Sequence, residues 1–195
     1  MSPTLIADVA DLRPSDPLFL MLRPERAAAR QISRVAWHIH DKYQLTQEPL
    51  AEDRFHVSLL GFGACGALSP RDLAAIDDVA SALTMPRFLA GFDWLMKFGK
   101  HSNQPLALCG SEIGIGGIIM LRDELGTSLA RRGFPLKRRD CTPHISLLYG
   151  DAHVEEQPIE EIRWTVSEVL LVCSQVGRRR HVVLEQWALR APPRA

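Results

Sequence analysis

The sequence predicts an α+β fold in which two pseudo-symmetric β-α-β lobes, with antiparallel sheets, pack around a central cleft. Three observations predict it: a repeated five-residue segment, a strand–helix–strand order that recurs in each half, and an ordinary globular composition. Of the 195 residues, 46% are hydrophobic and 24% are charged. A chain of this length and composition can bury a core without metal or disulfide staples.

The repeated segment reads His56-Val57-Ser58-Leu59-Leu60 in one copy and His144-Ile145-Ser146-Leu147-Leu148 in the other. The two copies lie 88 positions apart, and so do the upstream segments 17–21 and 105–109. A shared offset indicates two copies of one supersecondary unit. We interpret residues 1–195 as a single bilobal domain, with lobe 1 over about 17–85 and lobe 2 over about 105–175. Strands at about 87–98 and 181–189 would complete the sheets.

The elements follow from local patterns in chain order. A short apolar strand at 18–22 precedes a helix at about 25–43, and a strand at 106–109 precedes a helix at about 117–132 that stops at Gly133. Ser69 and Pro70 are typical of a helix start and predict a linking helix over about 70–83. Further strands are predicted at 87–98, 163–173 and 181–189. The glycine-rich run 114–117 is interpreted as a strand-to-helix connector.

Charge and cysteine content narrow the function classes. Lys+Arg and Asp+Glu both number 23, and this balance favours a short ligand over a long duplex. Positive charge is local, in the runs 137–139 and 178–180. The cysteines at 65, 109, 141 and 173 are too scattered for a structural zinc site. An acidic N-terminus without a signal peptide argues against disulfides and predicts a cytoplasmic protein. Neither a membrane-spanning run nor an obligate protein partner is indicated.

The two His-x-Ser segments carry the chemistry. Side chains alternate along a strand, so His56 and Ser58 share one face, as do His144 and Ser146. If the two strands lie side by side, two imidazoles and two hydroxyls converge on one point. Phosphodiester hydrolysis needs a base and an acid, which histidines provide near neutral pH, while the serines would bind the non-bridging phosphate oxygens. We therefore predict His56 and His144 as catalytic, Ser58 and Ser146 as phosphate-binding, and no metal or cofactor.

With these motifs, the sequence resembles the two-histidine (2H) phosphoesterase superfamily, in particular its LigT-like branch of 2′-5′ RNA ligases and RNA 2′,3′-cyclic phosphodiesterases. The resemblance covers nearly the whole chain: residues 19–24 look like the opening strand, 55–59 and 141–147 like the two motifs, and 163–164 with 169–174 like the closing strand. It implies a bilobal fold with both motifs in a central cleft. The implied activities are opening of cyclic phosphate RNA ends and ATP-independent handling of 2′-5′ linkages, so the expected partner is an RNA end, a short oligonucleotide or a cyclic nucleotide.

The chain departs from the family pattern in two places. Serine replaces the common threonine in both motifs, which keeps the hydroxyl group. Tyr149 follows the second motif where some members carry an arginine, and strict alternation places it off the His/Ser face.

Four further residues are candidate cleft contacts: Tyr149, Arg138, Lys97 and, by resemblance alone, Ser174. His181 is interpreted as exposed, and the aromatic residues Phe62, Trp94 and Phe98 are interpreted as core rather than as base-stacking surfaces.

Two other functions stay open at the level of sequence. One is a phosphodiesterase of a small cyclic nucleotide metabolite of the ADP-ribose cyclic phosphate type. The other is a catalytically silent module that binds RNA or a nucleotide. The duplicated histidines argue against the silent module, because binding alone needs no acid–base pair. The sequence does not indicate which histidine is acid and which is base.

Overall fold

A computed structural model describes residues 12–98, 104–135, 142–150, 154–175 and 177–190. Within them, one antiparallel sheet of eight strands packs against three α-helices, which confirms the predicted α+β class. The strands are β1 Pro17–Leu22, β2 Val57–Ala64, β3 Phe88–Lys97, β4 Gln104–Cys109, β5 His144–Gly150, β6 Gln157–Val166, β7 Glu168–Gln175 and β8 Arg180–Ala188. The helices are α1 Arg26–Lys42, α2 Pro70–Ser81 and α3 Glu112–Arg131.

The sheet consists of two four-stranded halves joined edge to edge. The strand order is β6-β3-β4-β5-β2-β1-β7-β8. We call β2-β1-β7-β8 the first half and β5-β4-β3-β6 the second half. The motif strands β2 and β5 are the inner edges and meet through the pair Val57↔Ile145. Strand β7, which the sequence placed within lobe 2, pairs with β1 and belongs to the first half. The division of the chain into domains stays a prediction.

The two halves are related by an offset of 88 residues only in their motif strands. Leu22 is opposite Val57 in the first half, and Leu108 is opposite Ile145 in the second. Spatially equivalent residues of β1 and β4 are therefore 86 apart, and the upstream sequence match was out of register by two residues. A slip of two preserves which side chains face the core, so the apolar pattern looks the same in either register.

The core lies between the helices and one face of the sheet. In β1, Leu18, Leu20 and Leu22 join this core, whereas Phe19 and Met21 belong to a small apolar cluster on the other face. Met21 is opposite Ser58 in the register, so the second face also carries the His-x-Ser side chains. The main core therefore supports the strands from behind and leaves the polar face open.

Helix α3 begins earlier than predicted and includes the glycine-rich run that was interpreted as a connector. Ser111 caps it by accepting a hydrogen bond from the Gly114 amide. A Cβ on Gly114 would stand 2.5 Å from the carbonyl oxygen of Gly91, so glycine allows the helix to approach β3 closely. The run serves helix–sheet packing.

Two other sequence expectations were wrong. The strand predicted at 163–173 is interrupted at Ser167, where the chain passes from β6 in one half to β7 in the other. Cys65 and Cys173 form a disulfide, although free thiols were expected. Their separation of 108 residues hides the contact, which arises because β1 lies between the two strands that lead to them. Cys109 is a buried cysteine outside this disulfide, and residue 141 lies outside the described residues. No helix among the described residues is long and apolar enough to span a membrane.

Candidate active site

The two His-x-Ser segments face each other at the junction of the two halves. Because β2 and β5 are antiparallel and Val57 is opposite Ile145, His56 lies across from Ser146 and Ser58 lies across from His144. Val57 and Ile145 are fully buried beneath them. The four polar side chains thus occupy the corners of a square, with the histidines on one diagonal. Paired antiparallel strands separate diagonal residues by roughly 7–8 Å, which leaves room for a phosphate group between the two imidazoles.

Both imidazoles are held by the same type of hydrogen bond. His56 Nδ1 lies 2.8 Å from the carbonyl oxygen of Arg54, and His144 Nδ1 lies 2.9 Å from that of Thr142. A carbonyl oxygen only accepts hydrogen bonds, so Nδ1 carries the proton in each ring. The neutral ring then has its unprotonated nitrogen at Nε2, which is the atom that can act as a base. The residue two positions before each histidine therefore determines its tautomer.

The surroundings of His56 favour its neutral form. Burial lowers the pKa of His56 below its ordinary value, and the positive charges of Arg54, His144 and Arg23 lower it further. The hydrogen bond to the Arg54 carbonyl opposes this shift without reversing it. His56 is consequently unprotonated at neutral pH and ready to accept a proton.

Aromatic rings flank both histidines. The ring centroid of Phe98 lies 4.4 Å from that of His144, and the centroid of Phe19 lies 5.5 Å from that of His56. Phe98 was interpreted as core, but it contacts a site histidine. Phe62 packs against Phe134, and Trp94 is 41% exposed, so the core interpretation fails for Trp94 as well.

A third histidine, His181, belongs to this site although the sequence suggested an exposed residue. Its ring meets that of His56 edge-on with 4.8 Å between centroids, and it also contacts Phe19. Burial lowers the pKa of His181 to about 3, with further contributions from the charges of His56, Arg54 and Arg23. His181 is therefore neutral over the working pH range. Only the pairing of β8 with β7 brings it here, and no local sequence pattern signals that pairing.

The four weaker candidates have different outcomes. Tyr149 reaches the site after all, since its hydroxyl lies 3.5 Å from Ser146 Oγ. Ser174 is opposite His181 in the register of β7 and β8, on the same face of the sheet. Lys97 is opposite Leu106, a core residue, which places it on the face away from His144. Arg138 lies outside the described residues.

A β-bulge explains the position of Tyr149. In the pairing of β4 with β5, Ala107 is opposite Ser146 while the preceding Leu106 is opposite Leu148. The extra residue, Leu147, reverses the alternation beyond it and turns Tyr149 back toward the polar face. Strand β2 has the same irregularity, because Leu20 and Met21 are opposite Leu60 and Ser58. Strict alternation therefore gave the wrong face for Tyr149.

Metal ligands are not clustered in the part of the chain that the structure describes: it contains no group of three or more His, Cys, Asp or Glu side chains placed to hold an ion.

Comparison with known proteins gives one curated relative with closely related sequence. The chain is 28% identical to the RNA 2′,3′-cyclic phosphodiesterase of Escherichia coli over 145 residues, which is 72% of this chain and 79% of the relative. The crystal structure of E. coli LigT complexed with 3′-AMP is 25% identical, with a TM-score of 0.72 over 89% of this chain and 98% of that chain. The chain is thus similar in sequence and in fold to LigT, a protein of the LigT-like two-histidine phosphoesterases.

A second solved structure supports the fold of this LigT-like chain. It is described as a phosphoesterase and has a TM-score of 0.74 and 24% identity, over 90% of this chain and 99% of that chain. No family model matches the sequence. The predicted relationship to LigT-like proteins is thus confirmed by a sequence relative and by structures that share the whole fold.

Proposed function

We propose that this LigT-like protein is a metal-independent phosphoesterase that opens RNA 2′,3′-cyclic phosphate ends or acts on 2′-5′ phosphodiester linkages by two-histidine acid–base catalysis. The observation that supports it best is the pair of diagonal imidazoles, each held with Nδ1 bonded to a backbone carbonyl. A silent binding module would have no use for two rings oriented in this way. The name of the curated relative supports the same reaction class.

The proposed reaction uses both rings in one displacement at phosphorus. His56 Nε2 removes a proton from water as the water oxygen attacks the cyclic phosphate. The bond from phosphorus to one ribose oxygen breaks, and protonated His144 donates a proton to that oxygen. The products are a phosphomonoester and a free ribose hydroxyl, with one water consumed. The hydroxyls of Ser58 and Ser146 donate hydrogen bonds to the non-bridging oxygens.

The assignment of His56 as the base in this direction rests on its lowered pKa. An imidazole that resists protonation is available as a proton acceptor at neutral pH, and its diagonal partner is left to act as the acid. In ligation the hydroxyl of a second strand replaces water and gives its proton to the same base, so the roles are kept. The roles exchange in the reverse cleavage, in which the ribose hydroxyl attacks phosphorus and the oxygen of the second strand leaves with a proton. We propose an RNA end as the substrate and the cytoplasm as the location.

The test is ring opening of a short oligoribonucleotide that ends in a 2′,3′-cyclic phosphate, measured with EDTA present. We expect turnover by the unmodified protein and a loss of roughly 10²–10⁴-fold in His56→Ala and in His144→Ala. His38→Ala is the matched control, since His38 is exposed on α1, and it should retain full activity.

Three results would count against the proposal. A folded, unmodified protein without turnover would exclude the opening of RNA ends. Full activity in His56→Ala and His144→Ala would exclude a catalytic role for the two histidines. Activity that EDTA abolishes and a divalent cation restores would exclude the metal-independent route.

A further inference from the structure

Among the described residues of the candidate site, positive charge is concentrated next to His56. Arg54 precedes His56 by two residues, and the equivalent residue before His144 is Thr142. The register of β1 with β2 ends at Leu22↔Val57, and one further step places Arg23 opposite His56. In the second half Cys109 is opposite His144. The first half thus has two guanidinium groups where the second has a hydroxyl and a thiol.

These cations have hydrogen-bonding capacity that the protein does not use. Arg23 Nε and Arg54 Nε are buried without a hydrogen-bond partner, and so is His181 Nδ1. Neither arginine belongs to the salt bridges found among the described residues. Buried polar groups are almost always paired, and a cluster of unpaired donors beside a reactive group is typical of a site that a ligand completes. The ligand must supply hydrogen-bond acceptors, because a guanidinium only donates, and the two positive charges favour an anion.

The charges of Arg23 and Arg54 act on the same two histidines. Both lower the pKa of His56 and the pKa of His181, so their charges lie near both rings. Burial lowers the pKa of Arg54, and the charge of Arg179, in the turn that leads into β8, lowers it further. The positive region therefore extends from His56 toward β8, along the first half and away from His144.

This direction separates the arginines from the reacting phosphate. The phosphate between the two diagonal histidines already has two hydroxyls and two imidazoles as partners. Arg23 directly follows β1 and His181 lies in β8, and both strands are on the side of β2 that is away from β5 and His144. A group bound by Arg23, Arg54 and His181 would lie beside His56, beyond the reacting phosphate.

We propose that Arg23, Arg54 and His181 form a second anion subsite, which binds another phosphate group of the same substrate next to the one that reacts. This inference rests on the proposed function and deepens it, because it specifies the substrate class. The preferred substrate carries at least two phosphates, and the non-reacting phosphate lies on the His56 side. In a cyclic phosphate RNA end, this group is the phosphodiester that joins the last nucleotide to the preceding one. A free 5′-phosphate on a single nucleotide offers the same chemistry.

The experiment compares substrates with and without a second phosphate. Ring opening is measured for adenosine 2′,3′-cyclic phosphate, for the same compound with a 5′-phosphate, and for the dinucleotide ApA that ends in the cyclic phosphate. We expect kcat/KM for both two-phosphate substrates to exceed that of the one-phosphate substrate by about 10- to 100-fold. A higher value for the dinucleotide than for the 5′-phosphate identifies an internal RNA linkage as the group that binds.

Arginine variants locate the effect. In Arg23→Ala and Arg54→Ala the ratio of two-phosphate to one-phosphate kcat/KM should fall toward one, and Arg54→Lys should restore part of it. Arg34→Ala, which removes an exposed arginine of α1, should leave the ratio unchanged. If the ratio is already one in the unmodified protein, or if an arginine variant lowers both values by the same factor, the subsite does not exist as proposed. The comparison within the unmodified protein decides the point even if a variant does not fold.

A binding measurement separates this inference from the proposed function. Calorimetry compares 3′-AMP with adenosine 3′,5′-bisphosphate, and neither requires turnover. Tighter binding of the bisphosphate, lost in Arg54→Ala, supports the subsite even if ring opening is not observed. Equal binding of both compounds by a protein that opens cyclic phosphates contradicts the subsite and leaves the proposed function intact.

Discussion

The two halves of the sheet share the arrangement of their candidate catalytic groups and differ in the residues around them. Each has a His-x-Ser strand at its inner edge, an Nδ1 hydrogen bond to the carbonyl two residues earlier, and a β-bulge after the serine. Around His56 lie Arg23, Arg54 and His181, whereas around His144 lie Cys109, Thr142 and Phe98. The duplicated part is what acid–base catalysis needs, and the unequal part distinguishes the two histidines and the two ends of a substrate.

The residue that follows the β-bulge also differs between the two halves. Tyr149 is 88 positions after Gly61, and only the tyrosine has a hydroxyl that approaches a motif serine. Burial lowers the pKa of Arg54, and Tyr149 opposes this shift without reversing it, so Tyr149 lies near the positive region of the first half. The two motif strands thus share the His-x-Ser segment and the bulge, and they differ in the side chains that surround it.

A double variant tests whether the two histidines act in the same step. His56→Gln and His144→Gln should each reduce kcat/KM for ring opening by roughly 10²–10⁴-fold. Because the two rings act in one displacement, the double variant should be little worse than the poorer single variant. Single-turnover rates with an oligonucleotide cyclic phosphate provide the measurement. Losses that multiply would mean that the rings act in independent steps, and the account would then be wrong.

Substitution of the two motif serines should have a smaller effect on activity than substitution of the histidines. Ser58→Ala and Ser146→Ala each remove a donor to the phosphate and should each cost roughly 10- to 10³-fold in kcat. Tyr149→Phe removes only the hydroxyl near Ser146 Oγ and should cost at most about tenfold. Phe134→Leu, at a ring that packs on Phe62 away from the site, is the control for a change of aromatic packing. A loss in Tyr149→Phe as large as that in Ser146→Ala would give the tyrosine a direct role at phosphorus.

Sequence reasoning found the parts of this site that depend on local pattern. His56, Ser58, His144 and Ser146 follow from a repeated motif and from the alternation of side chains in strands. It did not predict the residues whose position in the site depends on which strands pair. Tyr149 was placed on the wrong face because a bulge is defined by the register with β4.

Long-range pairing explains the other misses. His181 was taken as exposed because only the pairing of β7 with β8 brings it to His56. Cys65 and Cys173 meet because β1 pairs with both of their neighbouring strands. Arg23 and Arg54 looked like ordinary flanking residues, and their importance appears only when both are seen beside the same ring.

The central claim is that His56 is the neutral base of a pair of equally oriented histidines. It is tested most directly by NMR detection of the imidazole nitrogens as pH is varied, with His56→Gln to assign the signals. We expect the Nδ1–H tautomer at pH 7 and a pKa for His56 below the ordinary histidine value, because burial and nearby cations lower it. The acidic limb of kcat/KM should then fall at the same pH, with activity rising as His56 loses its proton. An Nε2–H tautomer of His56, or a pKa of His56 above the ordinary histidine value, would contradict its role as the neutral base.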